Sequence, residues 1–108
     1  MMADWVDVAK LDEFGDGTVR VVALDDGREV AVFNVGGRFH AIEDRCSHEE
    51  ETLSWGVVEG DEVICPRHGA RFSLVTGAAL TPPACEPVAT FAVRVEGGVV
   101  QVDAASAR

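Results

Sequence analysis

Residues 18–43, Thr18-Val19-Arg20-Val21-Val22-Ala23-Leu24-Asp25-Asp26-Gly27-Arg28-Glu29-Val30-Ala31-Val32-Phe33-Asn34-Val35-Gly36-Gly37-Arg38-Phe39-His40-Ala41-Ile42-Glu43, read as three strands joined by two turns. Thr18–Leu24 is rich in β-branched residues, alternates, and stops at Asp25-Asp26-Gly27, a hairpin signal. Glu29–Val35 follows and is broken by Gly36-Gly37, after which Arg38–Glu43 alternates again. Near the other end, Thr90–Val95 and Val99–Val102 flank Glu96-Gly97-Gly98, a further hairpin.

No segment sustains a helical apolar period over three turns, so the chain reads as an all-β domain of short antiparallel strands. At 108 residues it fits one domain, 1–108, with no repeat and no linker-like stretch to divide it. The middle, from about 44 to 87, is richer in Gly, Pro, Cys and His and reads as loops rather than ladder. Loops on a rigid sheet scaffold are where binding chemistry tends to sit.

Nineteen acidic against nine basic residues leave a formal charge of −10, which argues against nucleic acid and against anionic membrane as partners. An acidic surface suits a small protein steered toward basic patches on other proteins. No signal peptide is expected from Met1-Met2-Ala3-Asp4-Trp5-Val6-Asp7, and no apolar run approaches the ~20 residues that span a bilayer, so the expected location is cytoplasmic. Three cysteines form an odd, sparse set, unlike a disulfide-stapled secreted domain. In a reducing compartment, cysteines accompanied by histidines point to metal or to catalysis.

Two pairs stand in the middle stretch: Cys46-Ser47-His48 and Cys65-Pro66-Arg67-His68. Each offers one thiolate and one imidazole from a single loop. Such a mixture suits zinc, or an iron–sulfur centre in which His replaces Cys on one iron. Familiar zinc fingers keep the Cys pair and the His pair separate, with longer spacers. Here each loop mixes the two, so two loops can grip a dinuclear cluster from opposite sides.

With its Cys-x-His, a gap from Glu49 to Ile64, and Cys-x-x-His, the chain resembles the Rieske family. The surrounding residues fit as well: Arg38-Phe39-His40-Ala41-Ile42 before the first loop, Gly69-Ala70-Arg71-Phe72 after the second, then Thr76-Gly77 and Pro82-Pro83-Ala84. The resemblance implies a Rieske-like antiparallel β-sandwich or barrel with a small loop-rich cluster-binding subdomain. It implies one [2Fe–2S] cluster, with Cys46 and Cys65 on the buried iron and His48 and His68 on the outer, electron-accepting one. It also implies a proline loop over the cluster.

The remaining candidates read as structural. His40 lies in a predicted strand, and Cys85 reads as a packed thiol. Trp5 and Trp55 read as packing residues, with Trp55-Gly56 placed between the two loops to support them. Glu49-Glu50-Glu51 is a solvated run or a docking element.

High-potential members of the family brace the cluster with an extra disulfide and donate Ser and Tyr hydroxyls to its sulfurs. This chain has neither extra Cys, carries Ala70 and Phe72 at the matching positions, and contains no Tyr. Missing hydroxyl donors lower the potential, which predicts the low end of the Rieske range, on the order of −150 mV. That suits a soluble, monomeric one-electron carrier, not itself an enzyme, between a flavin-dependent reductase and a terminal non-heme iron oxygenase. Two other readings remain open here: a small subunit of a nitrite or arsenite oxidoreductase, and a zinc-stabilised interaction module without redox function.

Overall fold

The computed structural model describes residues 3–45, 52–66, 69–81 and 86–107. Among the described residues, ten strands run in chain order. They are β1 (Trp5–Lys10), β2 (Val19–Ala23), β3 (Glu29–Val35), β4 (Arg38–Glu43), β5 (Val57–Glu59), β6 (Glu62–Ile64), β7 (Arg71–Ser73), β8 (Thr90–Phe91), β9 (Val93–Glu96) and β10 (Val99–Asp103). Short 3-10 turns at Leu11–Glu13 and Leu53–Trp55 complete the elements. No helix among the described residues is long and apolar enough to cross a membrane.

The strands form three antiparallel sheets, ordered β1-β10-β9, β2-β3-β4-β8 and β5-β6-β7. The all-β expectation holds, and both hairpins of residues 18–43 form: Val21 pairs with Ala31, and Phe33 with His40.

Strand β3 is the centre of the molecule, and its sequence says why. Val30 and Val32 enter a core with Phe14, Leu24, Phe91, Val100 and Val102, between the middle sheet and the β1-β10-β9 sheet. Ala31 and Phe33, pointing the other way, enter a second core with Leu53, Val63, Cys65, Ala70 and Phe72. A strand with alternate side chains buried on both faces needs an unbroken apolar run rather than alternation. Val30-Ala31-Val32-Phe33 supplies that run. Neighbouring β4 divides in the same way, with Ala41 in the first core and Ile42 in the second.

Three features differ from the sequence expectation. The middle stretch contains a sheet of its own, β5-β6-β7, where loops were expected; its strands are three residues each, too short to show a period. An N-terminal strand, β1, adds to β10 with a register shift between Asp7 and Ala9. Thr90–Val95 does not form one strand. It breaks at Ala92, so that β8 pairs with β4 while β9 pairs with β10. Ala92 keeps its backbone partners at the break: its N–H donates to Ser106 Oγ at 2.8 Å and its carbonyl accepts from Asp103 N–H at 2.9 Å. The chain thereby crosses between sheets without leaving polar groups unpaired.

Candidate metal centre

Of the four predicted donors, Cys65 lies within the described residues, whereas Cys46, His48 and His68 lie outside them. Cys85, Glu49-Glu50-Glu51 and Pro82-Pro83-Ala84 also lie outside. The described segments on either side of each loop show how its stems are held.

Cys65 follows β6 directly and is buried, with 2% of its surface exposed, in the core shared by Leu53, Val63, Ala70 and Phe72. Its N–H donates to the Ala70 carbonyl at 2.7 Å, and its own carbonyl accepts from Gly69 N–H at 3.1 Å. These two bonds close a tight turn between β6 and β7. They deliver a sulfur-bearing side chain into an apolar, low-dielectric interior.

The first loop leaves β4 through Asp44 and Arg45 and returns at Thr52. Asp44, 7% exposed, has its N–H bound to the Glu29 carbonyl at 2.9 Å. Its carboxylate takes both protons Ser54 offers: Oδ1 accepts from the backbone N–H at 2.7 Å and Oδ2 from the hydroxyl at 2.8 Å. A buried carboxylate is tolerated when hydrogen-bonded in this way.

Two residues on, Gly56 lies against the backbone preceding Cys65. A Cβ at Gly56 would stand 2.1 Å from the Ile64 carbonyl oxygen, so only glycine permits the approach. Val57 then pairs with Ile64. The return stem of the first loop is therefore laid on the entry stem of the second.

Beyond β7, Arg71 N–H donates to Thr81 Oγ1 at 2.9 Å and Leu80 N–H to the Arg71 carbonyl at 2.8 Å. Gly77, at φ +76°, accepts from Val88 N–H at 2.9 Å, and a Cβ there would stand 2.1 Å from the Val88 carbonyl oxygen. Thr81, before the 82–85 segment, is thus tied to β7, and Val88, after it, to Gly77.

Among the described residues, Arg71 is paired within the small sheet. Its guanidinium pairs with Glu59 at 2.8 Å and Glu62 at 3.4 Å across that sheet, and the Glu59 hydrogen bond, with Glu62 behind it, raises its pKa. His40 is largely enclosed, 17% exposed at the side chain, with Nε2 3.5 Å from Asp61 Oδ1. Trp5 lies under the Arg94 guanidinium, 4.2 Å from its ring centre. Trp55 corrects the expectation of packing: it is 79% exposed, and the support between the loops comes from Ser54 and Gly56 instead. Sequence reasoning missed Ser54. Its only signal was a hydroxyl shortly before a glycine, which is common in any loop.

A buried thiol at a β-turn, with the stem of a second Cys/His loop laid beside it, fits an iron–sulfur group whose cysteine-bound iron is inside the protein. Comparison with known proteins agrees. The Rieske [2Fe–2S] domain pattern matches residues 4–92. The 3-phenylpropionate/cinnamic acid dioxygenase ferredoxin subunit of Escherichia coli K12 is 48% identical over 81 residues, covering 74% of this chain and 76% of that one. A chain in the complex of reduced oxygenase and oxidised ferredoxin of carbazole 1,9a-dioxygenase superposes with a TM-score of 0.87 at 36% identity, over 92% of both chains. A Mycobacterium tuberculosis chain assigned as an NADH-dependent nitrite reductase small subunit gives 0.81 at 28% identity, over 100% of this chain and 97% of that one.

Proposed function

The chain belongs to the Rieske [2Fe–2S] family, and from that membership we propose that Cys46, His48, Cys65 and His68 hold its cluster while it shuttles electrons between a flavin-dependent reductase and a terminal non-heme iron oxygenase. It carries a Rieske-type [2Fe–2S] cluster and is an electron-transfer component of a dioxygenase system, not an enzyme in itself. When bound, the cluster supplies a one-electron couple at an iron pair held by two thiolates and two imidazoles.

The protein's own residues do the rest. Cys65 is held in an apolar pocket that excludes water from its sulfur. The backbone around it is pinned to β6 and β7, which limits rearrangement when charge is added. A charge of −10 steers the carrier toward basic surfaces.

The observation that carries this reading is the 48% identity to a dioxygenase ferredoxin, set beside a complete two-Cys, two-His pattern. The likeness to a nitrite reductase small subunit favours a second task for the same cluster, but at 28% identity it ranks below the first. The zinc-folded module left open by donor chemistry gives way to the family match. A cytoplasmic location is part of the proposal, supported by the sparse cysteines, two of which are assigned to the cluster.

The test is to reduce the purified protein with NADH and a flavin-dependent ferredoxin reductase, then add a Rieske oxygenase and follow the visible spectrum. Bleaching by the reductase and recovery on adding oxygenase are expected. A protein that co-purifies with a nitrite reductase large subunit and ignores the oxygenase would favour the second task.

A further inference from the structure

Two ligand loops can bind one dinuclear cluster only if the distance between them is held. The described residues show how the stems beside these loops are tied together. On one side, Asp44 stands two residues before Cys46, anchored to the Glu29 carbonyl and bound through both carboxylate oxygens to Ser54. On the other, Gly56 seats against the Ile64 carbonyl, one residue before Cys65. Between them, Leu53 is buried in the core and its carbonyl accepts from Gly56 N–H at 2.9 Å. Residues 53–56 thus form a short spacer whose two ends touch the stems beside the two loops.

We propose that Ser54 is a positioning residue for the cluster, coupling the Cys46/His48 loop to the Cys65/His68 loop through its two hydrogen bonds to Asp44. This rests on the ligand set proposed above.

The chemistry of the clasp supports a role beyond packing. An enclosed carboxylate is costly unless its acceptors are filled, and an apolar pair would fill this space at less cost. What the carboxylate adds is direction: two short bonds to one residue fix both the distance and the angle between Asp44 and Ser54. The second loop needs no such device, because its stem is closed by the backbone bonds between Cys65, Gly69 and Ala70.

The test compares Ser54→Ala, which removes the hydroxyl donor but leaves the backbone N–H, with Ser54→Thr, which keeps both. Holoprotein of each is measured for β-sheet circular dichroism, iron and sulfide content, the paramagnetic resonance spectrum after dithionite, and the rate of bleaching by an iron chelator. Ser54→Ala is expected to fold and load its cluster, with displaced or broadened g-values and about tenfold faster bleaching. Ser54→Thr is expected to restore both.

An unchanged spectrum and bleaching rate in Ser54→Ala, or a failure of Ser54→Thr to restore them, would overturn the proposal. If Ser54→Ala does not fold, Ser54→Thr alone decides: a wild-type spectrum and rate support the clasp, and altered ones overturn it. Failure of the ligand assignment has a separate signature: Cys65→Ser would retain a wild-type cluster.

Discussion

The backbone N–H of Cys65 donates to the carbonyl of Ala70 at 2.7 Å, closing the turn between β6 and β7 on a residue with no hydroxyl. Ala70 and Phe72 are both fully buried beside Cys65 in the same core. Hydroxyls at such positions would stabilise the charge added on reduction; methyl and phenyl groups do not. The midpoint potential is therefore expected at the low end of the Rieske range, on the order of −150 mV, and protein-film voltammetry would measure it. Phe72→Tyr or Ala70→Ser should raise it by tens of millivolts. A wild-type value above about +100 mV would contradict this account.

Replacing the donors one at a time gives a second expectation. Cys46→Ser, His48→Ala, Cys65→Ser and His68→Ala should each yield protein with little or no visible absorption and well under one cluster per chain. Cys85→Ser and His40→Gln should keep full iron and sulfide content. Loss of the cluster in Cys85→Ser would mean that the donor set has been misassigned.

Close backbone approach distinguishes two glycines that share a left-handed conformation. A Cβ at Gly77 would collide with the Val88 carbonyl, whereas one at Gly27, at φ +90°, meets nothing within 4 Å. Gly27→Ala should cost about 1 kcal/mol, from strained φ alone. Gly77→Ala should cost several-fold more, since the chain must also move away from Val88. Urea unfolding midpoints of the two holoproteins would settle it; equal shifts would show that the 77–88 contact yields freely.

Charge predicts the salt dependence of electron delivery. With a formal charge of −10, encounter with a basic partner surface should slow as ionic strength rises from about 10 to 300 mM, because the screening length falls below ~10 Å. Replacing Glu49, Glu50 and Glu51 together by Gln should lower the slope of that dependence in stopped-flow measurements. An unaltered slope would remove this run from the docking surface.

Much of this protein was readable along the chain because the relevant signals are local. A hairpin is announced by a turn of few residues between alternating runs, and Asp25-Asp26-Gly27 and Glu96-Gly97-Gly98 each lie where a reversal occurs. The two Cys/His pairs proposed as donors are likewise each written within one short stretch of sequence.

What could not be read is what depends on contacts distant in sequence. Strands β5, β6 and β7 have three residues each, too few to show a period, and exist because they pair with one another and bury Val63 and Phe72. The run from Thr90 to Val95 looks continuous, but Ala92 is where one sheet hands the chain to the other. Ser54 became significant only when folding brought it to Asp44, ten residues away, while Gly56 met Ile64. Residue types and local spacing determined the all-β character, the family pattern and the acidic charge. Tertiary structure decided how the stems beside those loops are tied, because a hydrogen bond or a steric approach between segments leaves no trace in either segment alone.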